Sequence, residues 1–363
     1  MKVYLKFPWK FVDSRYYSNL VNFPPKDIIF FGICKKYDKL LTSQGKLYFY
    51  NKFKSIIRNF AKVGFLPNIT FSLRKDIDLV HCARCLLLNK FPWVVDVEHY
   101  WNFSISDKIS FSRLGKYLIT KLLRREYCKK ILPWTNAARN SIEEVVDDSL
   151  IKNKTEVIYP AIPVGKLKTK NSRNLNLLFV GRYFFQKGGL FALEVFRRLK
   201  EKYDIKCTLV SLTIPYNIEK KYENVATIYK SVSEYFLFNK IYPSSHIFIY
   251  PGFSDTFGFA LLEAMSFKIP IVTVDAFARK EIVEDNRNGF VIEMNGEINI
   301  YKIGKKEEEL IEKMVEKASL LIENSSIRKR MGRFGRKLVE SGKFSIKERN
   351  KKLRKVYEEA IRC

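Results

Sequence analysis

Short apolar runs alternate with helix-forming stretches along the second half of this 363-residue chain, and few folds accommodate that alternation. Residues 176–180, 207–210, 226–228, 246–250, 270–274 and 289–292 each read as a buried strand, with helices filling most of the gaps. Strands covered on both faces lose the polar alternation of half-exposed ones, so continuous apolar runs point to a parallel sheet. The pattern predicts a doubly wound α/β sheet whose ligands lie beyond the carboxyl ends of the strands. Residues 3–6, 28–31, 79–82 and 93–97 repeat the theme less cleanly. The joint is expected at 159–163, running into the polar stretch 166–174. Two domains follow, 1–163 and 164–340, with a helix over 341–363 expected to pack back on the first.

Composition agrees with two ordinary globular domains: 47% of residues are apolar and 15% aromatic. No apolar run approaches the eighteen or more residues that span a bilayer. Met1 to Leu5 reads as a first strand without a signal-peptide run, so a cytoplasmic location is expected. Six scattered cysteines do not make a disulfide framework. Cys82 and Cys85 form a C-x-x-C with His81 before it, but no second pair accompanies them, and buried thiols are expected.

The formal charge of +28 divides evenly between the two halves. Two concentrations stand out: residues 108–130, with eight basic groups against Glu126, and residues 328–362, with fourteen against four acids. The stretch 114–132 reads as a basic amphipathic helix, which fits either an anionic membrane surface or a solvated face. No zinc finger, RNP-type signature or basic zipper accompanies the charge, so nucleic acid is not an expected partner.

Two segments at predicted strand ends carry chemistry. From Ser254 to Met265 the chain reads S-D-T-F-G-F-A-L-L-E-A-M. Asp255 stands where a helix N-cap is expected, and Glu263 is the lone acid in an apolar run, where a charge is costly without a partner. On a continuous helix their spacing gives about 12 Å of rise and about 80° of rotation. A loop carboxylate and a helical one, with Gly258 baring amides between them, suit a ligand bearing hydroxyls and negative charge, as a sugar nucleotide does. The plainer alternative is a capping Asp255 and a solvent-facing Glu263.

The second segment is Gly181-Arg182-Tyr183-Phe184-Phe185-Gln186-Lys187-Gly188-Gly189, which follows a strand and opens a helix. A helix N-terminus offers unpaired amides and a positive dipole end to phosphate, and glycines allow close approach. Arg182 can grip a phosphate with two parallel bonds, and Lys187 supplies a point charge. Alone, the loop is a glycine turn with two surface cations; its pairing with the later segment makes a site specific.

These elements resemble those of the retaining glycosyltransferases of family 4, which have the GT-B architecture of two facing Rossmann-like domains. G-R-x4-K-G over 181–188 is similar to that family's diphosphate loop, and Asp255-x7-Glu263 to its E-x7-E signature, with Asp for the first Glu. Residues 274–290 resemble the segment that follows, and the likeness is strong over about 175–295 and weak before 150. The resemblance implies a donor domain at 164–340 and an acceptor domain at 1–163, with a cleft between them. It implies that Arg182, Lys187 and Gly188 hold the diphosphate of a nucleotide sugar, and that Glu263 bonds the ribose. Asp255 would contact the transferred sugar beside the amides of Phe257 and Gly258. Counting from Pro92, the family's histidine position falls on Glu98, with His99 next, and either would meet the sugar or acceptor. The expected acceptor is a glycan or lipid-linked hydroxyl, on or near an inner membrane face.

Cations at the leaving group would replace a divalent metal, so neither a metal nor any other cofactor is expected. Asp76-Ile77-Asp78 matches D-x-D only superficially, because it opens a strand. Three departures bear on the family pattern: the shorter Asp255, the bulky residues 7–11 where a glycine-rich loop is usual, and the absence of glycines in 209–213. Two alternatives stand beside transfer: a sugar-nucleotide epimerase of the same fold, or a non-catalytic subunit that binds anionic surfaces.

Overall fold

A computed structural model describes residues 1–7, 14–32, 66–72, 76–167 and 174–362, so residues 8–11 of the expected acceptor loop and 168–173 of the joint lie outside the described residues. Two compact units separate. The described residues up to Ala161 form one together with the chain from Ile346; Ile162–Ser345 form the other.

The first unit contains β1 (Lys2–Lys6), β2 (Ile29–Phe31), β3 (Ile69–Thr70), β4 (Leu79–Ala83), β5 (Leu86–Leu87), β6 (Trp93–Val97) and β7 (Cys128–Pro133). Its main sheet runs β2-β1-β4-β6-β7, all parallel, and β3 pairs with β5 separately. The β7 strand corrects the expected long basic helix. The helix stops at Arg124, and Cys128, Ile131 and Leu132 are buried beside β6, while Lys130 reaches Glu359 at 3.1 Å. Sheet pairing wins because Trp93 N–H finds the Tyr127 carbonyl at 2.9 Å, and the lysines keep their charged ends half-exposed.

Polar groups sit at the centre of this unit. Tyr17, His81, Asp96 and Tyr357 are all fully buried. Tyr17 Oη donates to Asp96 at 2.6 Å, His81 Nε2 stands 3.3 Å from the other carboxylate oxygen, and His81 Nδ1 meets Tyr357 Oη at 2.6 Å. Tyr357 belongs to the helix Ile346–Arg362, which is further tied down where Arg349 and Asn350 donate to the Phe23 carbonyl. Asp78 accepts the Lys2 N–H at 2.7 Å, which ties the D-x-D segment at the start of β4 to the start of β1.

The second unit contains β8 (Leu175–Val180), β9 (Ile205–Val210), β10 (Thr227–Tyr229), β11 (Ile247–Tyr250), β12 (Ile271–Val274) and β13 (Gly289–Ile292). The order is β10-β9-β8-β11-β12-β13, all parallel. From β8 the chain winds outward to β10, then returns to β11 on the other side of β8. Connections on either side of this reversal leave in opposite directions and open a crevice at the carboxyl ends of β8 and β11. Both chemical segments start there. No helix among the described residues is long and apolar enough to cross a membrane.

Candidate functional site

The loop after β8 folds tightly back on itself. Lys187 N–H bonds Tyr183 O at 2.9 Å, Gly188 N–H bonds Phe185 O at 2.9 Å, and Gly189 N–H bonds Phe184 O at 2.7 Å. Gly181 makes this possible, since a Cβ there would stand 2.7 Å from that of Lys187. Gly188 has φ of +79°, and a Cβ on it would come within 2.5 Å of the Pro251 ring. Glycine at that crossing lets the two loops touch, and two backbone bonds of 3.0 Å, Gly252 N–H to Lys187 O and Ser254 N–H to Gln186 O, join them.

Across this seam Lys187 Nζ lies 2.9 Å from Asp255 Oδ1 and 3.3 Å from the Ser254 carbonyl. The other Asp255 oxygen accepts from Tyr250 Oη. Tyr250 is buried, and burial first, then the Asp255 carboxylate, push its pKa well up; Glu263 adds to the same direction. The phenol therefore stays a donor at every physiological pH. Arg182 is half-buried in the same loop, with its carbonyl accepting from Thr213 Oγ1 at 3.3 Å.

Three readings are corrected here. Asp255 does not cap the helix: Phe259–Ser266 is preceded by Gly258 at φ +87°, with no side-chain cap. An ammonium and a phenol are stronger partners for the carboxylate than exposed amides, and the left-handed glycine makes the turn instead. The ideal-helix spacing from Asp255 to Glu263 fails too, because the first half of that interval is loop. Glu263 does not face solvent; it is 3% exposed, and its Oε2 accepts from Tyr242 Oη at 2.7 Å. Phe257 and Gly258 are buried at the helix start.

Glu98 and His99 belong to the other unit, just past β6. Glu98 pairs with Arg84 at 2.8 Å, and His99 stacks on Trp101 with ring centres 3.5 Å apart. Burial lowers the His99 pKa to about 4, so near neutrality the ring stays uncharged and does not handle protons as its ordinary value suggests. The native ring refuses a proton that the unfolded chain accepts below its ordinary 6.5, so this ring's contribution to stability falls as pH drops from 6.5 to about 4 and is constant above that window. His99→Gln should flatten the melting temperature across this window alone. A melting curve with the same acid slope in the variant would assign the slope elsewhere. Cys82 and Cys85 are buried free thiols, and burial raises the Cys82 pKa, which disfavours thiolate chemistry at Cys82.

Several residues that organise the site carry no sequence signal. Thr213 accepts the Phe184 N–H at 2.9 Å as well as donating to Arg182 O, so the glycine-free segment after β9 braces the loop after β8. Tyr242 orients Glu263 from 21 residues away in sequence. Arg279 is fully buried and donates to three carbonyls of the loop after β11.

Comparison with known proteins adds an independent line. Residues 166–338 match the family described as Glycosyl transferases group 1. An uncharacterized glycosyltransferase of Haemophilus influenzae is 28% identical over 235 residues, 63% of this chain and 60% of its own length. The chain thus spans under two thirds of that relative. Among solved structures, a glycosyltransferase from Rickettsia africae superposes with a TM-score of 0.63 at 16% identity, covering 99% of this chain and 98% of the other. Anabaena Alr3699/HepE, solved in complex with UDP and glucose, superposes with a TM-score of 0.61 at 13% identity, covering 98% and 99%. At such identities the likeness shows the fold, which is that of the GT-B glycosyltransferases.

Proposed function

Because residues 166–338 match the family of glycosyl transferases group 1, we propose that the chain moves a sugar from a nucleotide-diphosphate sugar to an acceptor hydroxyl, retaining anomeric configuration and needing no metal. The observation that carries the proposal is the Lys187–Asp255 pair at the tips of β8 and β11. Without donor, the ammonium is balanced by Asp255. A diphosphate entering between the loops would take over Lys187, with Arg182 beside it, and leave Asp255 held by Tyr250 for the sugar hydroxyls. Glu263, oriented by Tyr242, takes the ribose. As the C1–O bond to the diphosphate breaks, the acceptor oxygen bonds to the same face, and the departing phosphate takes the hydroxyl proton. The two cations meet the charge growing on the leaving group, the stabilisation that a bound divalent ion supplies elsewhere. Glu98 and the neutral His99 would contribute hydrogen bonds to sugar or acceptor.

UDP, GDP, ADP and their sugars should be screened by thermal shift, since a ligand of the native state raises its melting point. The bound donor is then incubated with acceptor in excess EDTA, and the product anomer is read by NMR. Acceptor-dependent diphosphate release with retention is expected. Conversion of donor without acceptor would establish an epimerase, and no response to any nucleotide would leave a non-catalytic subunit.

The acceptor we propose is a glycan or lipid-linked hydroxyl at the cytoplasmic face of an anionic membrane. Phe111, Leu114 and Tyr117 are 41%, 48% and 58% exposed. Lys108, Arg113, Lys116 and Lys121 are exposed in the same stretch of chain. Exposed apolar side chains interleaved with cations suit an interfacial segment. Phe111→Ser with Leu114→Ser should abolish sedimentation with phosphatidylglycerol vesicles, while high salt should weaken it in the wild type. Unchanged sedimentation of the double variant would remove this face from consideration.

A further inference from the structure

Arg279 opens the short helix Arg279–Ile282 beyond β12, and its side chain is fully buried. A buried guanidinium cannot shed its charge, so it needs partners. Nη2 donates to Gly252 O at 2.8 Å and Asp255 O at 3.2 Å; Nη1 donates to Phe257 O at 3.3 Å. The guanidinium also covers the Tyr250 ring at 5.6 Å, the same phenol that donates to Asp255. One side chain thus grips three carbonyls of a single loop and the tyrosine beneath it.

The loop is shaped around this grip. Gly252 and Gly258 both have positive φ, and a Cβ on either would lie 2.8 Å from a guanidinium nitrogen. In a trans peptide the C=O and the following N–H point in opposite directions. Drawing the Asp255 and Phe257 carbonyls onto Arg279 therefore turns the Thr256 and Gly258 N–H bonds away from it. Gly258 N–H then joins the amides of Phe259 and Ala260, which have no acceptor within their own helix. The Arg279 charge beneath adds to the positive end of that helix.

We propose that Arg279 is a positioning residue for the donor site: it holds residues 252–258 so that the Asp255 carboxylate meets Lys187 and the Gly258 amide faces the anionic donor. This rests on the donor site described under Proposed function. Lysine keeps the charge but cannot reach three carbonyls with one fork, so Arg279→Lys separates charge from geometry.

Wild-type chain is first tested with UDP-glucose, GDP-mannose and ADP-glucose. Failure to bind any of them sinks the donor site itself, and the role of Arg279 with it. With an active donor in hand, Arg279→Lys should lower kcat about 100-fold per folded molecule, with donor KM within about fivefold and a melting temperature near wild type. Methylguanidinium should restore at least about tenfold of the kcat lost in Arg279→Ala, by refilling the site of the missing fork. A folded lysine variant with wild-type kcat overturns the proposal. So does a methylguanidinium effect that restores the melting temperature without kcat, or the failure of both variants to fold, since each makes Arg279 a stabilising residue only.

Discussion

Lys187→Ala should lower sugar transfer by about 10²- to 10³-fold, the cost of removing one preorganised donor from a charge that develops in the transition state. The loss should fall on kcat more than on donor KM, because the diphosphate carries more charge when leaving than when bound as an ester. The fold should survive. Asp255 keeps Tyr250 as a partner, and the loops keep their two backbone bonds when the side chain is removed. Circular dichroism and melting temperature close to wild type, with kcat collapsed, is the expected pair of results. Lys187→Arg should recover only part of the rate, since a planar fork does not replace a compact ammonium. Normal turnover by the alanine variant would remove the seam between β8 and β11 as the site of chemistry.

The largest effect on stability is expected at Asp96. Its carboxylate is fully buried, accepting from Tyr17 and facing His81, which in turn meets Tyr357 of the helix Ile346–Arg362. Asp96→Ala leaves two buried polar groups without their partner, at a cost of about 3–5 kcal/mol. Tyr357→Phe removes one hydroxyl and should cost about 1–2 kcal/mol. Because the two units can melt separately, chemical denaturation should be followed by probes in each. A first transition that moves to lower denaturant in Asp96→Ala, with the second fixed, is expected. An unmoved unfolding profile would mean that the network contributes nothing net.

Much of the second unit was legible because its strands are local objects. Leu175–Val180, Ile247–Tyr250 and Ile271–Val274 are apolar runs that declare burial on both faces without reference to the rest of the chain. β7 was hidden, since Lys129 and Lys130 extend the charge pattern of the preceding helix and only the free edge of β6 decides that Cys128–Pro133 pairs there. Asp255 was legible as a functional candidate but not as an ion-pair partner. Its local surroundings describe a cap, whereas the lysine that takes it lies 68 residues earlier.

The order of apolar and polar residues was enough to dictate parallel α/β sheets and the strand tips where the glycine-rich loop and the two acids begin. Which groups meet at those tips was decided by packing: Lys187 with Asp255, Tyr242 with Glu263, Arg279 with the carbonyls of 252, 255 and 257. Periodicity is a property of neighbouring residues and can be read along the chain. The partner of a buried charge is whatever the folded chain brings within 3 Å of it, and that distance exists only in three dimensions.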